Sequence, residues 1–291
     1  MLNRTLYASS VFISVLIFGL LVSRFLSKGS CYNMPLVEDD PFATSVYGGD
    51  PVEQRDANYR KWLSVGVKIR VGRIAGSGTI VYYSTRDQWA YVQSCGHLWD
   101  ENNINDECKI ITWYHNEVKL SEPETYVAEV LYRQHSRGRD ISLLRFKANW
   151  KPDYFPVAPE NWNYEEGQRL HSIGCDGGRE IAHYDVEVVG VREGEWPDLV
   201  TTRNSPRPGR SGGGLLSENY FVGICWGTSD FSGTGNGYFI PLSTVREYNR
   251  RNGYEWLNNV SHNSLARRIP IIDRNSSQGH YSIDYIPLPQ F

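Results

Sequence analysis

The sequence predicts an all-β protein of antiparallel barrel or sandwich type, with two sets of about six short strands. Three observations carry that expectation. Apolar and polar residues alternate with period two, as in Val65, Val67, Ile69 and Val71 against Gly66, Lys68 and Arg70, which is the pattern of a half-buried strand. Similar short segments recur, separated by polar turns, with no convincing helix between them. A stretch rich in Pro and aromatic residues, from 148 to 167, divides them into two groups. With 291 residues, 40% of them hydrophobic and 22% charged, the chain is globular in composition and large enough for a sizeable core.

The chain opens on an apolar run from Leu6 to Val22, with Arg4 before it and Arg24 and Lys28 after it. Carried on to Leu26, a helix would span roughly 30 Å at about 1.5 Å per residue, enough to cross a bilayer. We expect residues 1–28 to be a signal anchor, a transmembrane helix that ties the protein to the membrane. A cleaved signal peptide is the alternative, although its apolar region is usually shorter. Either reading puts the rest of the chain outside the cytoplasm, membrane-anchored and periplasmic or extracellular, or else secreted. Residues 29–62 are mixed in composition and read as a stalk that becomes ordered near Trp62.

The first strand set occupies residues 63–150. Its strands are expected at 65–71, after the Gly76-Ser77-Gly78 turn, and at 89–93, 109–114, 126–132 and 141–146. The linker at 151–167 carries Pro152, Pro156 and Pro159 with Tyr154, Phe155, Trp162 and Tyr164, a composition that packs down rather than floats. The second set and a short helix occupy 168–256. Its strands are expected at 169–175, 183–191, 198–202, 214–216, 220–226 and 238–242. Thr244-Val245-Arg246-Glu247 has the form of a capping box, so a helix from Val245 to Arg251 is expected, ending at Gly253. The tail, 257–291, shows no clear period.

The net charge of -3 gives no electrostatic case for nucleic acid. No phosphate-binding glycine fingerprint, Cys/His metal spacing or internal repeat is present, so neither cofactor nor metal is expected. Cys95, Cys108, Cys175 and Cys225 allow three disulfide pairings, and buried free thiols are an equal alternative. Cys31 is uncommitted.

Chemistry concentrates at Gly209-Arg210-Ser211-Gly212-Gly213-Gly214. One hydroxyl sits among glycines whose conformational freedom can expose it and turn neighbouring N–H groups to one side. A serine nucleophile needs a base, and the base needs an orienting group. Among seven histidines, His97 directly follows an apolar strand in Ser94-Cys95-Gly96-His97, where a scaffold presents functional side chains. Asp140 opens the apolar strand Asp140-Ile141-Ser142-Leu143-Leu144, a costly place for a carboxylate unless it is hydrogen-bonded.

Gly76-Ser77-Gly78-Thr79-Ile80-Val81, Ser94-Cys95-Gly96-His97, Asp140-Ile141-Ser142-Leu143-Leu144 and Gly209-Arg210-Ser211-Gly212-Gly213 together resemble the trypsin-like (chymotrypsin-fold) serine peptidases, most closely the bacterial branch. The resemblance covers 64–252. Its order is His, Asp, Ser, spaced by 43 and then 71 positions. It implies two six-stranded antiparallel barrels with a short C-terminal helix, and a serine endopeptidase acting on polypeptides through an acyl-enzyme. It also implies catalytic roles for Ser211 as nucleophile, His97 as general base and acid, and Asp140 as orienting carboxylate. Gly209 and Ser211 would supply oxyanion-hole N–H groups, Ser205 would lie near the primary specificity pocket, and Cys225-Trp226-Gly227 would align substrate backbone.

Several positions depart from the family pattern. Arg210 stands where many digestive members have an Asp that captures a freed N-terminus, and a solvent-facing side chain is expected there. Gly214 replaces a common Pro, which is expected to loosen the strand start. No acidic residue aligns with Ser205, which argues against strict cleavage after Lys or Arg. Arg203 and Arg207 are read as exposed loop residues. A catalytically silent peptide-binding module on the same fold is the alternative function. An esterase is disfavoured, because its Ser precedes its acid and His.

Overall fold

The computed structural model describes residues 57–260, apart from 137–138, 193–198, 204–205 and 230–234. Helix α1 (Ala57–Ser64) comes first. The strands β1 (Gly66–Val71), β2 (Ile74–Tyr83), β3 (Trp89–Ser94), β4 (Cys108–His115), β5 (Val118–Ser136) and β6 (Arg139–Lys147) follow. They pair antiparallel in the order β1-β2-β3-β6-β5-β4 and close into a barrel. A second set follows the linker: β7 (Arg169–Cys175), β8 (Ile181–Arg192), β9 (Leu199–Arg203), β10 (Gly214–Leu216), β11 (Phe221–Thr228) and β12 (Asn236–Pro241). It closes in the order β10-β11-β12-β9-β8-β7. The chain therefore folds into two closed six-stranded antiparallel β-barrels, followed by helix α2 (Leu242–Arg251).

The alternation in the sequence becomes the inside and outside of the first barrel. Val67, Ile69 and Val71 of β1 are fully buried, Lys68 is half-buried and Arg70 is exposed. The linker packs down as its composition suggests. Tyr154, Phe155, Val157 and Ala158 are buried. Phe155 N–H donates to Ile80 O of the first barrel (3.1 Å), and Ala158 N–H donates to Phe221 O of the second (3.0 Å).

Several local expectations need correction. Gly76-Ser77-Gly78 is not a turn ahead of a strand; it lies within β2, paired with Ile69, Lys68 and Val67. Helix α1 spans the boundary between the 29–62 segment and the first barrel and carries Trp62. The capping box does not form. Helix α2 starts at Leu242, with Pro241 at its N-cap and no side-chain cap, and Thr244 is buried inside it. Leu242 N–H donates instead to Tyr164 Oη of the linker at 2.9 Å. The C-terminus is as expected: Gly253 takes φ +81, its N–H reaches Arg250 O, and Tyr254 N–H reaches Asn249 O. That pair of bonds is a Schellman closure.

Cys95, Cys108, Cys175 and Cys225 are buried free thiols. Burial pushes the thiols of Cys108, Cys175 and Cys225 up to about 12, so they stay protonated at neutral pH. No helix among the described residues is long and apolar enough to cross a membrane. The apolar run at 6–22, Cys31 and nearly all of the tail lie outside the described residues.

Candidate active site

The barrels meet where β2, the end of β3 and the turn before β10 converge. Ser77 joins them. Its N–H donates to Ser211 O at 2.7 Å. Its hydroxyl donates to Gly209 O at 2.9 Å and accepts from Cys175 N–H at 2.8 Å. Its carbonyl accepts from Ser94 Oγ at 2.6 Å. One residue of the first barrel thus pins both ends of the 209–211 turn, Gly209 through its hydroxyl and Ser211 through its backbone N–H. The residue stands in a noted motif, yet nothing in the sequence marks it as a tie between barrels. Ser77→Ala would orphan the Gly209 carbonyl and the buried Cys175 N–H, at about 1–3 kcal/mol for each buried group. The thermal midpoint is expected to fall by several degrees. A midpoint within a degree of wild type would mean that the hydroxyl holds nothing.

On the first barrel, Asp140 at the head of β6 is 1% exposed. Its Oδ1 accepts from Gly96 N–H (2.7 Å) and His97 N–H (2.6 Å). Its Oδ2 takes the hydrogen bond of His97 Nδ1. Burial by itself would raise this carboxyl; the His97 charge and the hydrogen bonds from His135 and His97 outweigh it and hold Asp140 well below the usual carboxylate range. It is therefore ionised wherever the protein is folded near neutrality, and it orients the imidazole by both its charge and its fixed lone pairs.

A second imidazole shares this carboxylate. His135 Nδ1 lies 3.4 Å from Asp140 Oδ1, with its ring edge-on to His97 at 6.0 Å between centroids. Nothing local in the sequence sets His135 apart from the other histidines. Its signal is the strand register: His135 of β5 pairs directly across from Asp140 of β6.

On the second barrel, Ser211 lies on a turn in which Gly209 and Gly212 have φ +88 and +85. A Cβ at Gly212 would stand 2.3 Å from Ser77 O and 3.0 Å from Cys95 N, so glycine there brings the serine up against the loop that carries His97. Gly212 N–H bonds Cys225 O, and Cys225 N–H bonds Gly213 O, which fixes the turn to β11. Among the described residues, the Gly209 and Ser211 N–H groups donate to no acceptor, and Ser211 Oγ has no hydrogen-bond partner. His97 Nε2 lies 3.6 Å from Cys95 Sγ. A hydroxyl and two N–H donors thus stand uncommitted on a turn packed against the loop that carries His97, whose imidazole is held by a buried carboxylate.

Arg210 is not the solvent-facing residue the sequence reading expected. It is 0% exposed. Its Nε and Nη2 donate to Asp176 Oδ1 (2.9 Å) and Oδ2 (3.1 Å), and Nη1 donates to Ser172 O and Ala182 O. The guanidinium lies over the Tyr184 ring at 3.9 Å. A planar fork of donors in front of two carboxylate oxygens and two carbonyls explains why arginine occupies the position.

Gly214 does not loosen its strand. It pairs with Ile224 in a buried β10, and a Cβ there would meet Thr79 Oγ1 at 2.4 Å. Thr79 of the first barrel takes the space a side chain would need. Ser205 lies outside the described residues. Cys225 is buried and Trp226 stacks edge-on to Tyr238. Because β10 begins opposite Ile224, residues 226–228 of β11 run past it with no strand on that side among the described residues. Arg203 is exposed, 3.6 Å from Glu187; Arg207 is half-buried rather than exposed.

A family described as "trypsin-like peptidase domain" matches residues 76–224, just over half of the chain. No curated protein sequence matches. The fold is similar to that of the Rv3671c protease of M. tuberculosis in its inactive form, with a TM-score of 0.52, 17% identity, and coverage of 72% of this chain and 98% of that one. It is also similar to a serine endoprotease from Yersinia pestis, with a TM-score of 0.52, 17% identity, and coverage of 66% of this chain and 64% of that one.

Proposed function

The chain belongs to the trypsin-like peptidase domain family, and we propose from this premise that it is an active serine endopeptidase. Ser211 is the nucleophile, and His97 takes its proton and returns it to the leaving amine. Asp140 holds the imidazole and balances its charge when it becomes an imidazolium. The Gly209 and Ser211 N–H groups receive the oxyanion of the tetrahedral intermediate, where a single donor typically contributes on the order of 2.7–4 kcal/mol. The observation that carries the reading is the hydrogen bond between His97 and the buried, ionised Asp140, next to a turn whose serine hydroxyl and two N–H groups are uncommitted.

The substrate is a polypeptide in extended form. The open side of residues 226–228 supports this, because a peptide can add there as a further strand. We place the activity outside the cytoplasm on the apolar run at 6–22 alone.

An active-site-directed fluorophosphonate tests the reading directly. Wild type is expected to label at a pH between about 6 and 9, where a neutral imidazole can act as base, and Ser211→Ala is expected not to label. Absence of label in wild type throughout that range would defeat the proposal.

A further inference from the structure

A second group of ligating side chains lies on the other barrel's β7 and β8. In their antiparallel register His171 faces Asp185, and Ile173 faces His183. His183 and Asp185 are two apart on β8 and so project from one face, where His171 joins them. His171 Nδ1 is 3.0 Å from His183 Nε2 and 3.0 Å from Asp185 Oδ1, and His183 Nε2 is 3.4 Å from Asp185 Oδ1. The three atoms form a nearly equilateral triangle.

The carboxylate brings no proton and each ring nitrogen carries at most one, so hydrogen bonds serve at most two edges of this triangle at a time. A cation at the centre satisfies all three at once: with ligand bonds of about 2.0–2.1 Å and tetrahedral angles, neighbouring ligand atoms stand about 3.3 Å apart.

Aromatic neighbours hold both rings in place. Trp62 of α1 stacks on His171 at 3.6 Å between centroids and 23° between planes, and on His183 at 4.7 Å and 18°. Tyr59 packs edge-on against His183. The histidine side chains are only 12% and 9% exposed, while Asp185 is 54% exposed, so an ion can enter beside the carboxylate.

We propose that His171, His183 and Asp185 bind a divalent transition-metal ion of the Zn2+ class, with solvent completing the shell. Two imidazoles and one carboxylate suit Zn2+ rather than Ca2+ or Mg2+, which take oxygen ligands. Through Trp62 the bound ion fastens α1 to the second barrel. The spacing escapes a sequence search because the ligands come from two strands.

The test uses the full chain carrying His97→Ala, which disables the other ligating group among the described residues, Cys95, His97 and Asp140. After chelator treatment the protein is titrated with Zn2+ in competition with a chromophoric chelator. One equivalent is expected to bind, and the thermal midpoint to rise with Zn2+ concentration. His183→Ala, and separately the exposed Asp185→Asn, are expected to weaken binding by about 100-fold and remove the thermal shift. Excess Mg2+ or Ca2+ is expected not to compete. If the parent takes up no Zn2+, or folded Asp185→Asn and His183→Ala bind it as the parent does, or Ca2+ displaces it, the proposal is overturned.

Discussion

Ser211→Ala will lower kcat against a peptide substrate by on the order of 10^6, with the thermal midpoint unchanged. At about 1.36 kcal/mol per factor of ten, that corresponds to about 8 kcal/mol of transition-state stabilisation. On the proposed mechanism the whole covalent route goes with the hydroxyl, so the loss far exceeds one hydrogen bond and the residual rate comes from binding and the N–H donors. The fold is spared for a specific reason. The bonds that hold the turn run through the Ser211 carbonyl and through Gly212, and the hydroxyl has no partner among the described residues. Circular dichroism and thermal melting establish the folded state, and turnover of a peptide library measures the rest. A variant within tenfold of wild type would remove Ser211 from the chemistry.

Arg210→Ala carries the second large effect, on stability first. The substitution strips Asp176 of its partner and the Ser172 and Ala182 carbonyls of their donor, and it leaves a cavity against Tyr184. Breaking a buried ion pair on one side costs up to about 3–5 kcal/mol, with Asp176 17% exposed and so partly resolvated here, still a large share of the 5–15 kcal/mol typical of a whole domain. Activity follows, because the same side chain anchors the turn between the Gly209 and Ser211 N–H groups. A misplaced oxyanion donor lowers kcat by about 10^2–10^3. Lys at 210 is expected to rescue little, since a single ammonium cannot serve both carboxylate oxygens and both carbonyls. Denaturant unfolding and kcat on the folded fraction separate the two losses. A wild-type midpoint for Arg210→Ala would show that the buried pair contributes nothing.

The sequence was most informative where structure depends on neighbours along the chain. Alternation marked β1, because each residue's face is set by its own position in the strand. The segments 169–175 and 214–216 have the predicted bounds. The Gly-Ser-Gly of β2 misled because glycines usually punctuate, whereas here they lie inside a paired strand. Relations across the fold were illegible. Arg210 looked like a loop residue because its carboxylate lies 34 positions upstream at Asp176. Ser77 ties to partners 132 and 98 positions away at Gly209 and Cys175. His135 becomes Asp140's neighbour only through strand register. In the sequence reading, Arg210 also inverted a family position occupied elsewhere by an acid. The structure shows the countercharge, Asp176, supplied from β7's end within the same chain.

The two helices give the molecule one more property. Helix α1 precedes the first barrel, yet its Trp62 stacks on the second. Helix α2 follows the second barrel, yet its Asn249 Oδ1 accepts from Tyr132 Oη of the first at 2.8 Å, and that hydroxyl accepts from Gln93 Nε2 at 3.0 Å. Each half is fastened by the flank of the other. The halves are thus interlocked independently of the covalent path between them. A single cut within 151–167 would leave a nicked but associated heterodimer. Heating the intact chain would melt both barrels in one cooperative transition rather than two.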